Sequence, residues 1–432
     1  MGTKTCGSAI FAASFLFSLS TAFASGFGIF TQGASALGQA DAVVAHTDGP
    51  SAIFFNPALI NSLPGTQVEL GTTIVVPSRR FTSAQDGSVS RTDDTAFFPS
   101  TFYITHAFNE RVSAGLGVFN PFGLGTTWKS DWEGRYLATE SEMTTFNINP
   151  VVSVRLNQHV TVAGGVDIIL LDATFKNRLN LTGATGGAFG LLDDGTQTLK
   201  GDGTGLGYNF GLHVKFTDDL SFGASYRSQV NVDVKGDLTT DIPASVAEPA
   251  YGILSGVLPQ AKAKTVIKLP QQVFTGLHYK GFGPLQLEGG VRWEGWSSYK
   301  QLRIDMDPAV AGSSSSTREK NWKDTFSYML GASYKLNDTA TLLGGYLYGD
   351  DPVPDETFEP AIPDSPSHLF CLGTELNFHP VKLTMSYGYQ VLERRHKSNP
   401  VGDPAGLPGT GTANGMYDSE LHLVGISLLY RF

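Results

Sequence analysis

The sequence predicts an all-β protein, a transmembrane antiparallel β-barrel of about fourteen strands. Three observations lead there. Several segments alternate strictly between apolar and polar residues, short and long connections alternate along the chain, and the last strand alternates up to a terminal aromatic residue. Composition agrees. Only 16% of the 432 residues are charged, below the roughly 25% of an average soluble domain. Fifty glycines, 28 Phe and 15 Tyr suit a barrel better than a helical protein.

In chain order, the first element is a secretory signal peptide, residues 1–24. Lys4 gives a positive start, Ile10 to Leu19 an apolar run, and Ala22-Phe23-Ala24 a small-residue cleavage site, so the mature chain is expected to begin at Ser25. Ser25 to about Leu63 does not alternate and is rich in small residues, as in Gly33-Ala34-Ser35-Ala36-Leu37-Gly38-Gln39-Ala40. Two uses fit it: a first strand with a long lead, or a plug folded inside the lumen, for which a fourteen-strand barrel has room.

The alternating strands follow. From Leu220 to Lys235 one face reads Leu220, Phe222, Ala224, Tyr226, Ser228, Val230, Val232, Val234, and the other is polar or small. From Val381 to Val391 the apolar face is Val381, Leu383, Met385, Tyr387, Tyr389, Val391. A soluble sandwich gives the same period, so the connections decide. Short turns fall at Asn109-Glu110, Asn157-Gln158, Thr217 to Asp219, Gly281 to Pro284, Asn337-Asp338 and His379-Pro380. Long polar or Gly/Pro-rich stretches lie between them, at about 82–95, 126–137, 178–203, 238–264, 304–318, 350–363 and 398–413. Short turns on one side and long loops on the other are the habit of outer-membrane barrels. The last strand places His422, Val424, Ile426, Leu428, Tyr430 and Phe432 on one face, and Phe432 is expected to be the tail that the barrel assembly machinery recognises.

Charge and cysteine usage narrow the class. Loss of Lys4 with the signal takes the net charge from −10 to −11, which argues against nucleic acid as a partner. Cys6 also leaves and lies before the apolar run, where no lipid-modified terminus forms. Cys371 is then alone, so no internal disulfide is expected. No apolar run of 18 residues follows the signal, so no transmembrane helix is expected.

A set of motifs in order resembles the long-chain fatty-acid transporter barrels of the outer membrane (FadL-type), which include a branch for aromatic hydrocarbons. Ser25-Gly26-Phe27, Gly33 to Gly38 and Asn56-Pro57-Ala58-Leu59-Ile60 resemble that family's N-terminal plug. Asp131 to Tyr136, Glu140-Ser141-Glu142 and Asn147-Ile148-Asn149-Pro150 resemble its fourth-strand region, and Ser221 to Ser228 a middle strand. Asn321-Trp322-Lys323-Asp324, Asp351-Pro352-Val353-Pro354 and Ile362-Pro363-Asp364 resemble its last third, while Ser365-Pro366-Ser367-His368 departs from the acidic-then-Arg sequence expected there. The resemblance implies a plug (hatch) at 25–63 and a barrel at 64–432, a monomer surrounded by outer-membrane lipid and lipopolysaccharide. It also implies uptake of hydrophobic small molecules by loop capture, plug rearrangement and lateral exit, with no energy source.

Residues can be set against those steps. Two loops carry apolar runs, one with Phe189, Leu191 and Leu192, the other with Ile253, Leu254, Val257 and Leu258. Such runs in loops mark a capture site or two loops packed on each other. A fatty-acid carboxylate in an apolar pocket needs a cation; the resemblance points to Arg178, Arg318 and Lys320, which otherwise are solvated loop charges. Asn120-Pro121-Phe122-Gly123 interrupts the strand that starts near Arg111. A proline there removes a ladder donor, giving either a wall opening, as the resemblance implies for the third strand, or the strand's outer end. Asn56-Pro57-Ala58 starts a turn, and the resemblance implies that it faces that opening.

Two other classes share parts of this pattern. A barrel lipid hydrolase lacks any G-x-S-x-G or H-E-x-x-H, although a dispersed Ser-His pair stays open. No Cys/His metal spacing or nucleotide loop is present, so no cofactor is expected, and Gly201, Gly203, Gly205 and Gly207 sit at a strand start. A general diffusion porin is the other. The sequence does not distinguish fatty acid from hydrocarbon.

Overall fold

The computed structural model describes residues 26–29, 31–402 and 411–432; the expected signal peptide and Ser25 lie outside them. Fourteen antiparallel strands close a ring. In order they are Thr66–Ser83; Ser100–Ala107; Val112–Phe119 continued by Gly123–Thr127; Glu140–Arg155; Val160–Leu179; Gly195–Lys215; Leu220–Arg227 continued by Val230–Asp241; Ala261–Leu269 continued by Gln272–Phe282; Leu285–Glu294 continued by Gln301–Val310; Ser313–Glu319 continued by Thr325–Lys335; Ala340–Gly349; Ser367–Phe378; Val381–Leu392 continued by Arg395–Lys397; and Gly415–Arg431. Strand fourteen pairs with strand one from Gln67 opposite Arg431 to Ser83 opposite Gly415, which closes the ring.

All six expected short turns are present, and local chemistry explains them. In three, an Asn side-chain oxygen accepts two backbone N–H groups ahead of it: Asn109 from Arg111 and Val112, Asn157 from His159 and Val160, Asn337 from Thr339 and Ala340. Thr217 does the same for Asp219 and Leu220. One expected long loop is not a loop. Residues 304–318 belong to a hairpin, strands nine and ten, turned at Ala311-Gly312, where both residues have positive φ (50° and 77°). The run Ser313 to Ser316 offers no apolar alternation, which hides the strand.

The alternating faces also differ from the expected reading. On strand seven Phe222, Ala224 and Tyr226 point out of the ring and Ser225 and Arg227 are buried within it. After Ser228-Gln229 the pattern inverts: Val230, Val232 and Val234 are buried while Asn231, Asp233 and Lys235 are exposed. Strand eight inverts likewise around Pro270-Gln271, from exposed Leu277 and buried Phe274 to buried Ile267 and Leu269 with exposed Lys268 and Lys264. Within hydrocarbon the apolar face must look outward; beyond it, in water, the apolar face must look inward. A single uninterrupted apolar face from Leu220 to Val234 is therefore corrected to two faces on opposite sides.

Residues 31–63 form no strand. They fold into short helices, Ala34–Gly38 and Ala52–Phe55, and a tighter turn, Pro57–Ser62, almost wholly buried. Their partners lie on strands all round the ring. Ser51 N donates to Glu69 on strand one, the Tyr103 hydroxyl of strand two to the Gln32 carbonyl, and Ser153 of strand four to the Ala58 carbonyl. Ala45 N donates to Glu288 of strand nine, Lys382 of strand thirteen to the Asp48 carbonyl, and Ala34 N to Ser427 of strand fourteen. The strongest anchor is Arg227, whose guanidinium donates to the Ile53 and Phe54 carbonyls and pairs with Asp167 at 2.5 Å. Asn147 and Asn209 complete the Asp167 carboxylate, so the buried charges are satisfied.

Candidate functional site

Beyond the inversion, the outer parts of strands six to ten continue as one sheet. Its inner face contributes Leu199, Leu238, Ile267, Leu302, Ile304 and Met306 to a cavity of about 140 Å³. Phe27, Leu124, Met143, Phe175 and Ile362 form the other walls. Five charged side chains share this lining: Lys176, Arg318 and Lys320 against Glu140 and Glu359. Lys176 pairs with Glu140 at 2.7 Å. Glu359 accepts from buried Lys320 and, at 3.5 Å, from Arg318. Burial would raise the Glu359 carboxyl, but the charges of Lys320 and Arg318 outweigh it and hold it below its ordinary value. Three cations against two carboxylates leave one positive charge in an apolar chamber.

The expected carboxylate partners divide. Arg318 and Lys320 line the cavity; Arg178 does not, and spends its guanidinium on Thr196 Oγ1 and the Asp194 carbonyl, both at 2.7 Å. The two apolar runs both pack on each other and leave residues exposed. Leu254 is buried, and Phe189, Leu192 and Leu258 pack around it, so the loops cover each other. Leu191, Ile253 and Val257 stay exposed, Leu191 at 95%. Leu258 also packs on a second cluster containing Leu238, Ile304 and Met306, which themselves line the cavity. An apolar track thus runs from the exposed loop residues to the chamber.

The interruption at Asn120-Pro121 breaks the wall. Val112–Phe119 pairs with strands two and four, but Gly123–Thr127 pairs with strand four alone. The free side of that outer half is held by other groups. Arg79 of strand one reaches across to the Gly125 carbonyl (2.6 Å) and Thr126 Oγ1 (2.8 Å). From inside, the N-terminal segment pairs with the break as a miniature strand. Ile29 N donates to the Pro121 carbonyl and Gly123 N to the Phe27 carbonyl, with Gly28 opposite Phe122. Gln32 donates to the Asn120 carbonyl at 2.6 Å, and the Asn120 side chain bonds Ser100 N and the Thr145 carbonyl. Phe27 lines the cavity as well, so it touches chamber and break together.

Asn56-Pro57-Ala58 stands elsewhere. The Asn56 side chain caps the turn through Ala58 N and donates to the Val44 and Leu212 carbonyls, fixing the segment to strand six. The residues bonded to the break are Phe27, Ile29 and Gln32; Phe27 belongs to a motif read only as part of the plug, and no motif or periodicity marks Ile29 or Gln32. Glu359 and Lys176 were missed too, because neither lies in a segment with its own pattern.

The chain is similar, over residues 15–432, to the family described as outer membrane protein transport protein (OMPP1/FadL/TodX). It is 23% identical over 375 residues to a long-chain fatty acid transport protein of Salmonella typhi, across 83% of this chain and 85% of that one. Its fold resembles a Pseudomonas aeruginosa FadL homologue with a TM-score of 0.83 at 19% identity, covering 94% of this chain and 100% of the other. It also resembles the Pseudomonas putida toluene transporter TodX, with a TM-score of 0.74 at 18% identity, covering 93% and 98%. A closed fourteen-strand ring with lipid-facing apolar residues and a match along nearly the whole chain lead to one conclusion: this protein belongs to the FadL/TodX family of outer-membrane transporters for hydrophobic compounds.

Proposed function

We propose that this barrel takes up long-chain fatty acids across the outer membrane, with residues 25–63 as its plug and 64–432 as its wall. The ligand is caught on Leu191, Ile253 and Val257, passes along the track to the cavity, and leaves through the break in strand three once the Phe27 to Gln32 segment moves. The observation that carries this reading is the cavity's charge balance. One net positive charge, centred on Arg318 and Lys320 in an apolar chamber, fits one ligand carboxylate. Each buried methylene of the chain adds about 0.8 kcal/mol.

Uncharged hydrocarbons are the second reading. It is favoured by the aromatic floor beside the chamber, where Phe27 stands edge-on to Trp296 at 4.6 Å and Tyr299 to Trp322 at 5.0 Å. The test is native mass spectrometry of detergent-extracted protein loaded with oleate and challenged with toluene. Oleate retained against toluene supports the fatty-acid reading; toluene bound with oleate excluded replaces it with the hydrocarbon one.

A further inference from the structure

The outward side of the outer sheet carries a concentration of positive charge. A groove of about 460 Å³ is lined there by Lys235, Lys264, Lys268, Lys300 and Arg303, with only Asp233 and Asp305 among them. Five cations against two carboxylates make a net +3 on a chain whose total is −10. Arg303 and Asp305 pair with each other at 2.9 Å. Among the described residues the four lysines make no ion pair. Strand register sets Lys235 directly opposite Lys264, with Asp202 on the far side of Lys235 and Asp305 on the far side of Lys264; the central like-charge pair is unfavourable by itself, and an anion over it relieves it.

The groove has a definite height. A row of outward side chains crosses five strands just below: Phe210 opposite Tyr226, Tyr226 opposite Val273, Val273 opposite Trp293, and Trp293 opposite Phe326. Aromatic rows of this kind mark the edge of the hydrocarbon. Lys268 lies five residues past Val273 on the same strand, roughly 16 Å along it at about 3.3 Å per residue. Strands tilt, so Lys268 stands at the level of lipid head groups, and Lys235 and Lys264, each nine residues past the row, extend the cluster outward from it.

We propose that this groove binds the phosphorylated head group of an outer-leaflet lipid, the phosphates of lipid A in lipopolysaccharide. Clustered lysines at this height offer charge-assisted hydrogen bonds to phosphate oxygens, and the aromatic row beneath takes the acyl chains. A free phosphate would use only the lysines; the lipid uses both.

The test titrates detergent-extracted barrel, in EDTA so that no divalent cation bridges, with lipid A, with lipid A stripped of its phosphates, and with inorganic phosphate. Bound molecules are counted by native mass spectrometry. Lipid A is expected to bind about 10-fold or more tightly than either comparison ligand. The triple variant K235E/K264E/K268E should lose at least about 10-fold of that affinity, and K235R/K264R/K268R should keep it. Heat-modifiable migration on a gel checks that both variants are folded, and unchanged oleate loading separates this site from the cavity. Equal binding of the dephosphorylated lipid, equal binding of inorganic phosphate, or full binding by the glutamate variant would overturn the proposal.

Discussion

Arg318 sits nearly half exposed at the cavity rim, whereas Lys320 beside it is buried against Glu359. The arginine is thus the group freer to meet a ligand carboxylate. Because it is partly screened by water, Arg318→Ala should weaken oleate binding by roughly 10-fold, near the lower end for a hydrogen bond to a charged group. Toluene binding should stay nearly constant, and equal losses for the two ligands would contradict the assignment. Asp351, in the outer loop before strand twelve, makes a pH prediction. Burial pushes its carboxyl from an ordinary 3.8 up to about 6, against the pull of Arg395, with Asp355 adding repulsion. A raised carboxyl favours the packed loop when protonated. That contribution is complete below about pH 4 and is lost as pH rises through 6. Hydrogen exchange of residues 350–366, corrected for intrinsic rate, should report more frequent opening at pH 7.5 than at 4.5, with most of the difference gone in Asp351→Asn. At this scale the sequence was partly legible. Arg318 and Lys320 could be named through resemblance, but Glu359 could not. It lies 39 residues from Lys320 in a loop without periodicity, and only the folded chain brings them together.

The third strand shows what an element adds. Its proline break was readable, because a missing N–H and a glycine two residues on cannot sustain a ladder. What fills the break was not readable, since the partner segment 27–29 is too short to carry a pattern. The geometry there yields a sharp test. Gly28 and Phe122 are opposed with hydrogen bonds on either side of the pair, an arrangement that brings Cα atoms to about 4.5 Å, within disulfide range. The double variant G28C/F122C, oxidised, should abolish uptake while leaving oleate binding intact, and a reductant should restore it. Uptake that persists in the oxidised form would exclude exit at this point. The short turns were legible for the opposite reason: Asn109, Asn157 and Asn337 act on residues two and three ahead, entirely within one stretch of sequence.

For the whole molecule, alternation and connection lengths were enough to foresee the ring, because every barrel strand repeats the same two-face rule. The contents of the ring were not, because its contacts join residues as distant as Asp48 and Lys382, 334 positions apart. The buried Arg227–Asp167 pair holds the N-terminal segment to strands five and seven. Removing one partner strands the other charge, so Arg227→Ala should cost about 3–5 kcal/mol in unfolding experiments. The same variant should raise planar-bilayer conductance, which for the parent is expected to be small because residues 31–63 occupy contacts all round the wall. An Arg227→Ala barrel as silent and as stable as the parent would show that the segment is held by other means.

The inversions at Ser228-Gln229 and Pro270-Gln271, with a third at Glu393-Arg394, have a consequence for depth. Each is a dislocation in an otherwise regular two-residue lattice: the composition on either side barely changes, but its phase does. Val232 and Phe222 have the same parity in the chain, yet one is buried within the ring and the other faces the hydrocarbon. On strands seven, eight and thirteen the outer boundary of the membrane is therefore encoded as a phase slip, which ties the height of the wall there to the spacing of residues rather than to their kind.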